Sequence, residues 1–365
     1  MKPQLTIRDL RCRAVSVPIA RPLVTRVVTV DRVRLLLIDL LTEEGITGSA
    51  YLFGYLARSH AYFSAVLRDI GELTRGAALA PAALYERVRQ AFTLMGHGGI
   101  AAMAAAGFDM ACWDALAKAA GLPLASLLGA VPQPVKAYNS NGLGLIGADE
   151  AGAQAQELLA EGGFDALKAR LGRATWADDL AAVRAIRAAV GEQVLLPVDF
   201  NQALTRVQAL RRCRALDREG IYWIEEPIVY DDLAGCVALR REIATPIQLG
   251  ENFYRPRAVA DAIAAGACDY MMFDVMRIGG VTGWLRAAAL AEAAGIEVSS
   301  HLMPEVSAHL LAAMPTGHWL EYVDWANPIL AEPLQVREGH VALQQTPGTG
   351  IAWNEEAVAR YQVEL

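Results

Sequence analysis

Seven ionisable residues recur at an interval that a barrel strand and its helix would set. They are Lys168, Asp199, Glu225, Glu251, Asp274, His301 and Glu321, separated by 31, 26, 26, 23, 27 and 20 residues. Each lies at or just past the end of a short apolar run: FDALK, VLLPVD, IYWIE, PIQLG before Glu251, YMMFD, IEVSS before His301, and HWLE. A βα unit takes ~25–30 residues, so these side chains emerge at one rim, the C-terminal end of the strands of a parallel barrel. Asp199, Glu225 and Glu251 are hard oxygen donors with no Cys or His among them, a set that suits Mg²⁺ rather than zinc. One isolated carboxylate more often caps a helix or pairs with Arg; three in step point to a metal. Glu226 beside Glu225 is ambiguous, because neighbours on a strand face opposite ways and only one can face the ion. Asp274 and His301 fall on adjacent expected strands. A carboxylate on one imidazole nitrogen fixes the tautomer and leaves the other nitrogen as a base. His309 and His318 read as packing residues. Lys168 and Arg170, two apart on a strand, share a face and form a cationic pair for a substrate carboxylate.

The elements that must position these residues are legible in the same pattern. Residues 4–17 and 31–40 read as strands, and Gly45 and Gly48 punctuate a return to 50–53, giving a three-stranded meander. The stretch 18–30, PIARPLVTRVVTV, carries two prolines; a loop over a pocket is expected, with an irregular edge strand as the alternative. Helices are expected over 56–75, 81–95 and 99–120, the last stopped by Gly121 and Pro123. From Pro134 strands at 134–140, 164–170, 194–199, 221–225, 246–250, 269–274, 296–300 and 318–322 alternate with helices such as 149–162, 176–190, 203–219 and 281–294. The fold class is therefore α/β: a modified (β/α)₈ TIM-type barrel over 131–331, an α+β capping domain over 1–130, and a C-terminal tail, 332–365, packing back on the cap. Gly142, Gly144 and Gly147 spell G-x-G-x-x-G in the first barrel loop. Alone this dinucleotide fingerprint is weak, and a nicotinamide site does not account for three spaced carboxylates; an oxidoreductase is a distant competitor.

Composition excludes several classes. A chain of 365 residues, 54% apolar and 20% charged, fills one barrel and a smaller domain. A net charge of −7 without basic runs argues against nucleic acid. The apolar segment AAMAAAGFDMACWDALAKAA is broken by Asp109, Asp114 and Lys118, so no membrane partner is expected. The start has no signal pattern, and five cysteines without metal spacing read as reduced thiols of a cytoplasmic protein.

The chain resembles the mandelate racemase group of the enolase superfamily through motifs along nearly its whole length. They include AYLFGY, LKARLG, VDFNQAL, WIEEP, QLGEN, FDVMRIGGVTGW, SSHLMPEVSAHLLAA and PGTGIAWNEEAV. The resemblance implies a cap closing over a modified barrel, one Mg²⁺ per subunit (Mn²⁺ as substitute) on Asp199, Glu225 and Glu251, and a dyad of His301 and Asp274. It implies that Glu321, as a protonated donor, and Lys168 bind the substrate carboxylate, with Ser140 and Asn201 as secondary contacts. It also implies a small carboxylate substrate and a homo-oligomer, often an octamer. Enolase-superfamily sites use a Lys or His base beside Mg²⁺ to form an enediolate. Arg170 departs from the group's Lys-x-Lys motif. Arg stays protonated and makes a poor second base. His301 working alone implies a dehydratase, a hydro-lyase on a hydroxy acid. Leu23, Val27, Val30, Phe53, Tyr55, Leu302 and Met303 correspond to apolar walls around an aromatic 2-hydroxy acid, which implies a racemase. A catalytically silent metal-binding barrel is the remote third reading.

Overall fold

The computed structural model describes residues 5–365; the first four residues of the expected cap lie outside the described residues. The cap opens with an antiparallel meander, β1 (Ile7–Val24), β2 (Thr29–Thr42) and β3 (Thr47–Gly54). Leu35 to Leu40 in β2 are all buried, Asp39 among them, so both faces of the sheet are covered. Helices α1 (Ser59–Thr74), α2 (Pro81–Ala91), α3 (Gly99–Ala120) and α4 (Leu124–Leu127) follow.

The 18–30 stretch is a hairpin rather than a loop. β1 and β2 pair on through Leu23↔Val30 and Val24↔Thr29, with a register shift between Pro18 and Leu23. The irregularity accommodates prolines that cannot donate to a ladder. Because β3 pairs only with Arg34–Leu41 of β2, the hairpin end projects beyond the sheet as a two-stranded finger. Thr25 closes its turn: Oγ1 donates to the Val28 carbonyl and accepts from the amides of Val27 and Val28.

Helix α3 is long and apolar enough to cross a membrane by length and composition, but 72% of that window is buried inside the protein. The charges that interrupt it fasten the cap to the rest of the chain. Asp109 accepts from the amide and hydroxyl of Thr282 at 2.9 and 2.6 Å. Asp114 accepts from the amides of Ser49 and Thr349 and pairs with Lys118 at 2.6 Å. Buried carboxylates are tolerated where donors meet them in this way.

The barrel comprises β4 (Val135–Asn139), α5 (Ala148–Ala160), β5 (Ala169–Arg170), α6 (Trp176–Val190), β6 (Val198–Asp199), α7 (Arg206–Leu216), β7 (Ile224–Glu225), α8 (Leu233–Arg240), β8 (Ile247–Leu249), α9 (Arg255–Ala265), β9 (Tyr270–Asp274), α10 (Val275–Ile278), α11 (Gly280–Ala293), β10 (Val298–His301), α12 (Pro304–Ala312) and β11 (Leu320–Tyr322). β5 to β10 form one parallel sheet in chain order, and β11 pairs parallel with β4. Bridges at Asn139↔Leu167 and Val298↔Gly317 join these sheets, so the eight strands make a ring. The ladders are shorter than the expected strands because parts of the ring are held by single bridges. Helix α7 starts at Arg206 rather than 203 because Thr205 and Gln208 form a capping box there.

After β11 the tail splits. β12 (Val336–Arg337) and β13 (His340–Val341) extend the sheet beside β4, whereas α13 (Glu355–Tyr361) leads to β14 (Gln362–Val363), which pairs with β1 of the cap. Trp353 donates to Asp39 of β2 at 2.7 Å, fixing this return. All five cysteines are free.

Candidate active site

The register aligns the charged residues at one rim. Arg170 pairs with Asp199, Asp199 with Glu225, and His301 with Asp274 across neighbouring strands. Glu251 follows Gly250, whose φ of +130° suits a residue without a side chain; a Cβ there would stand 2.5 Å from the Met272 carbonyl oxygen. Asp199, Glu225 and Glu251 are buried, and one oxygen from each lies within 4.8 Å of the others, forming a metal site. Burial raises the Asp199 and Glu225 pKa values; Lys168 opposes this and neighbouring acids add to it. Three close carboxylates in a dry cavity call for a cation.

Lys168 lies beneath this trio. Its Nζ stands 2.9 Å from Glu225 and 2.7 Å from Glu321. Burial alone would discharge it, but Glu225 and Glu321 outweigh burial and hold it firmly protonated. Glu321 accepts from Lys168, from the Ser140 hydroxyl at 2.7 Å and from the Leu302 amide at 2.8 Å. Burial opposes its ionisation, yet Lys168, His301 and Arg170 hold it below the usual carboxylate range. Without metal, the donors around Glu321 favour an accepting carboxylate over the expected protonated donor.

His301 Nδ1 meets Asp274 Oδ2 at 2.7 Å, while Nε2 faces Glu251 at 3.4 Å and Glu321 at 4.0 Å. Burial lowers the imidazole pKa, but Glu251, Glu321 and Asp274 raise it to about 9 in the metal-free protein. Asp274 is itself held by the amides of Met276 and Arg277 at the start of α10.

These residues border a cavity of about 230 Å³ beneath the cap. Leu23, Val27, Val30, Phe53, Tyr55 and Leu302 line it, as do Lys168, Arg170, Asn201, Glu251, His301 and Glu321. Asn201 lies beside Asp199, donating Nδ2 to Oδ2 at 2.7 Å, and its buried Oδ1 has no partner. Two expected contacts fall elsewhere. Ser140 is fully buried below the cavity, between Arg170 and Glu321, where it positions charges. Met303, in the left-handed region at φ +46° just before α12, lines a small adjoining void with Leu35 and Tyr51.

Arg170 is fastened on two sides. Its Nη1 donates to the Ser140 and Gly142 carbonyls at 2.7 and 3.0 Å, and Nη2 to the Ser140 hydroxyl at 2.7 Å. The Gly-rich loop that supplies these carbonyls has a packing explanation. A Cβ on Gly144 would lie 2.6 Å from the Val24 carbonyl oxygen, so glycine lets the cap finger dock. A Cβ on Gly142 would meet Gln154 at 2.4 Å.

Sequence reasoning missed Arg277 and Asn252, which border the cavity with Glu226. Arg277 joins Tyr55 of the cap at 2.6 Å to Asp274 at 3.2 Å and the Glu251 carbonyl at 3.0 Å. Its place three residues after Asp274 was the available signal. Glu226 was set against Glu225 as a choice of one; both belong to the site. Glu226 has φ +37°, which breaks strand alternation, and its carboxylate accepts from Asn252 at 2.9 Å. Positive φ recurs at Asn201, Gln202, Leu302 and Met303, immediately beyond the strands that carry the site.

Comparison with known proteins gives a consistent result. The profile "Mandelate racemase / muconate lactonizing enzyme, N-terminal domain" matches residues 7–129, and "Enolase C-terminal domain-like" matches residues 150–357. An enolase from alpha proteobacterium bal199, solved with bound Mg, superposes with TM-score 0.96 at 46% identity, covering 98% of this chain and 100% of that chain. A Bradyrhizobium enolase complexed with magnesium and mandelic acid gives TM-score 0.95 at 42% identity over 100% of both chains. L-talarate/galactarate dehydratase of Salmonella typhimurium is 34% identical over 274 residues, 75% of this chain and 69% of the relative. Other curated relatives include dehydratases, cycloisomerases and epimerases.

Proposed function

The chain belongs to the mandelate racemase/muconate lactonizing enzyme family and is an enzyme of the enolase superfamily; on that premise we propose that it is a Mg²⁺-dependent hydro-lyase acting on a 2-hydroxy carboxylate. Asp199, Glu225 and Glu251 hold the cation; their crowded, buried negative charge fits a divalent ion. When bound, Mg²⁺ supplies a Lewis acid that stabilises negative charge on the substrate carboxylate. His301 Nε2 takes the α-proton. Asp274 holds Nδ1 in the required tautomer and stabilises the resulting imidazolium. Lys168, kept charged by its acid partners, offers N–H bonds to the developing enediolate. Glu321 orients Lys168, and His301 then returns its proton to the departing β-hydroxide.

The anchored guanidinium of Arg170 carries this reading. A group that does not give up its proton cannot exchange one at the second face of the α-carbon. Dehydration needs one base that later acts as an acid; racemisation needs a base on each face. The dehydratases among the relatives support the same choice. A second reading, racemisation of an apolar 2-hydroxy acid, draws support from the apolar cavity wall and from the mandelic acid held by the Bradyrhizobium relative. The fully exposed Leu94 and the neighbouring Met95 on the cap support self-association.

Incubation of 2-hydroxy acids with the protein and Mg²⁺ in D₂O tests the chemistry. A 2-keto acid product is expected; no product and no α-deuterium across the panel rejects proton abstraction. Arg170→Lys separates the two readings. A large gain in racemisation, with little keto acid from the wild type, favours the racemase.

A further inference from the structure

We propose that the substrate is a short 2,3-dihydroxy carboxylate whose carbon 3 carries an apolar, aryl-sized group rather than a polyol chain. The inference rests on the α-proton chemistry proposed above and adds the substrate class. Two observations pull in different directions unless one molecule satisfies both. The anchored Arg170 leaves His301 as the single base, so the product comes from elimination and carbon 3 must bear a hydroxyl. The cap side of the cavity, however, is made of Leu23, Val28, Val30 and Phe53, with Leu302 and Trp325 closing it.

The polar atoms on that side are few, and most are held within the protein. Thr25 Oγ1 is consumed in its own turn, donating to the Val28 carbonyl and accepting two amides. The Tyr55 oxygen accepts from Arg277 at 2.6 Å, which leaves a single O–H to donate. Arg277 is itself committed to Asp274 and the Glu251 carbonyl. Across the cavity, Asn252 Nδ2 donates to Glu226 and Glu251, and Gln202 Oε1 accepts from the Tyr230 backbone amide. A hexose-derived acid would bring several distal hydroxyls and a second charge to this surface, and each hydroxyl without a partner costs binding energy. The floor differs. Lys168 and the unpartnered Oδ1 of Asn201 offer a donor and an acceptor for the carboxylate and its adjacent hydroxyls.

The reaction balances without an oxidant. His301 takes the proton from carbon 2, and the electron pair moves into the carboxylate as an enediolate. The pair returns to form the carbon 2–carbon 3 double bond as the carbon 3–oxygen bond breaks. The departing hydroxide takes the proton held by His301 and leaves as water. The enol then tautomerises, gaining a solvent proton at carbon 3 and losing one from its hydroxyl, to the 2-keto acid.

The test uses the Mg²⁺-loaded enzyme with the diastereomers of 2,3-dihydroxy-3-phenylpropanoate, with galactarate and glucarate, and with mandelate, in D₂O. Keto acid from at least one aryl diastereomer is expected, with kcat/KM about 10² or more above either hexarate. Equal or faster dehydration of a hexarate overturns the substrate class while keeping the proton chemistry. Racemisation of mandelate without water loss from any dihydroxy acid also overturns it. Absence of α-deuterium in every compound rejects the underlying reaction instead. Leu23→Asn is expected to raise KM for the aryl substrate about tenfold, with kcat changed less; an unchanged KM counts against contact with this wall.

Discussion

His301 is buried and His318 half-buried at successive barrel strands, and their pKa values move in opposite directions. His318 sits at the far end of the barrel among Tyr222, Trp223, Tyr270 and Trp319, where burial and then Lys136 lower its pKa to about 4. At the catalytic rim burial also lowers the His301 pKa, but Glu251, Glu321 and Asp274 more than reverse it, to about 9. Desolvation is common to both; the neighbouring charge differs. The far end is a plug of rings, with Tyr138 against Trp223 at 5.6 Å and against Trp319 at 6.4 Å. The rim instead crowds Lys168, Asp199, Glu225, Glu251 and Glu321 into a dry space. Replacing water around so many charges is costly. One end of the barrel therefore stabilises the fold, and the other spends stability on a cation site and a base.

Four measurements can break or sharpen that contrast. The largest effect is expected from His301→Asn, which should lower kcat by about 10⁴ while calorimetry finds Mg²⁺ affinity retained. Full activity would remove His301 from its role. At the opposite end Trp319→Ala should cost about 3–5 kcal/mol of stability, read by denaturant melts, with kcat of the folded fraction near wild type. Asp199→Asn should abolish stabilisation by Mg²⁺ yet leave the metal-free protein as stable or more so, because burial already disfavours that charge. A large loss of metal-free stability would mean that the rim is structural after all.

The smallest effect is a titration, followed by NMR of the two imidazoles. A folded-state pKa raised above 6.5 makes His301 stabilising below that pH, and the contribution fades as pH rises through about 9. His318 has a lowered folded-state pKa, so its contribution is lost as pH falls from 6.5 towards about 4. Mg²⁺ neutralises Glu251 and should lower the pKa of His301 while leaving that of His318 in place. Equal movement of both would refute a local electrostatic cause.

The spacing of apolar runs made the barrel readable, since a parallel strand is continuously apolar and its functional residue comes last. The metal trio and the His301–Asp274 pair were readable for the same reason. The finger was not, because Pro18 and Pro22 mimic a loop where a register shift absorbs them. Glu226 stayed ambiguous because its positive φ, which brings it to the cavity outside the metal trio, follows from the fold and not from strand alternation. Arg277 had only its spacing from Asp274 as a signal, because its other partner, Tyr55, lies 222 residues earlier in the chain.

By itself, the sequence determined the repeating strand-and-helix order, the residue type at each strand end, and the arginine that replaces a second base. Those are local properties, carried by periodicity and side-chain chemistry. Only the tertiary structure decided that Ser140 lies below the cavity, that Glu321 meets three donors, and that Arg277 reaches Tyr55 of the cap wall. Each of these depends on groups far apart in the chain meeting in a space that excludes water, where the partner, not the residue type, sets charge and exposure.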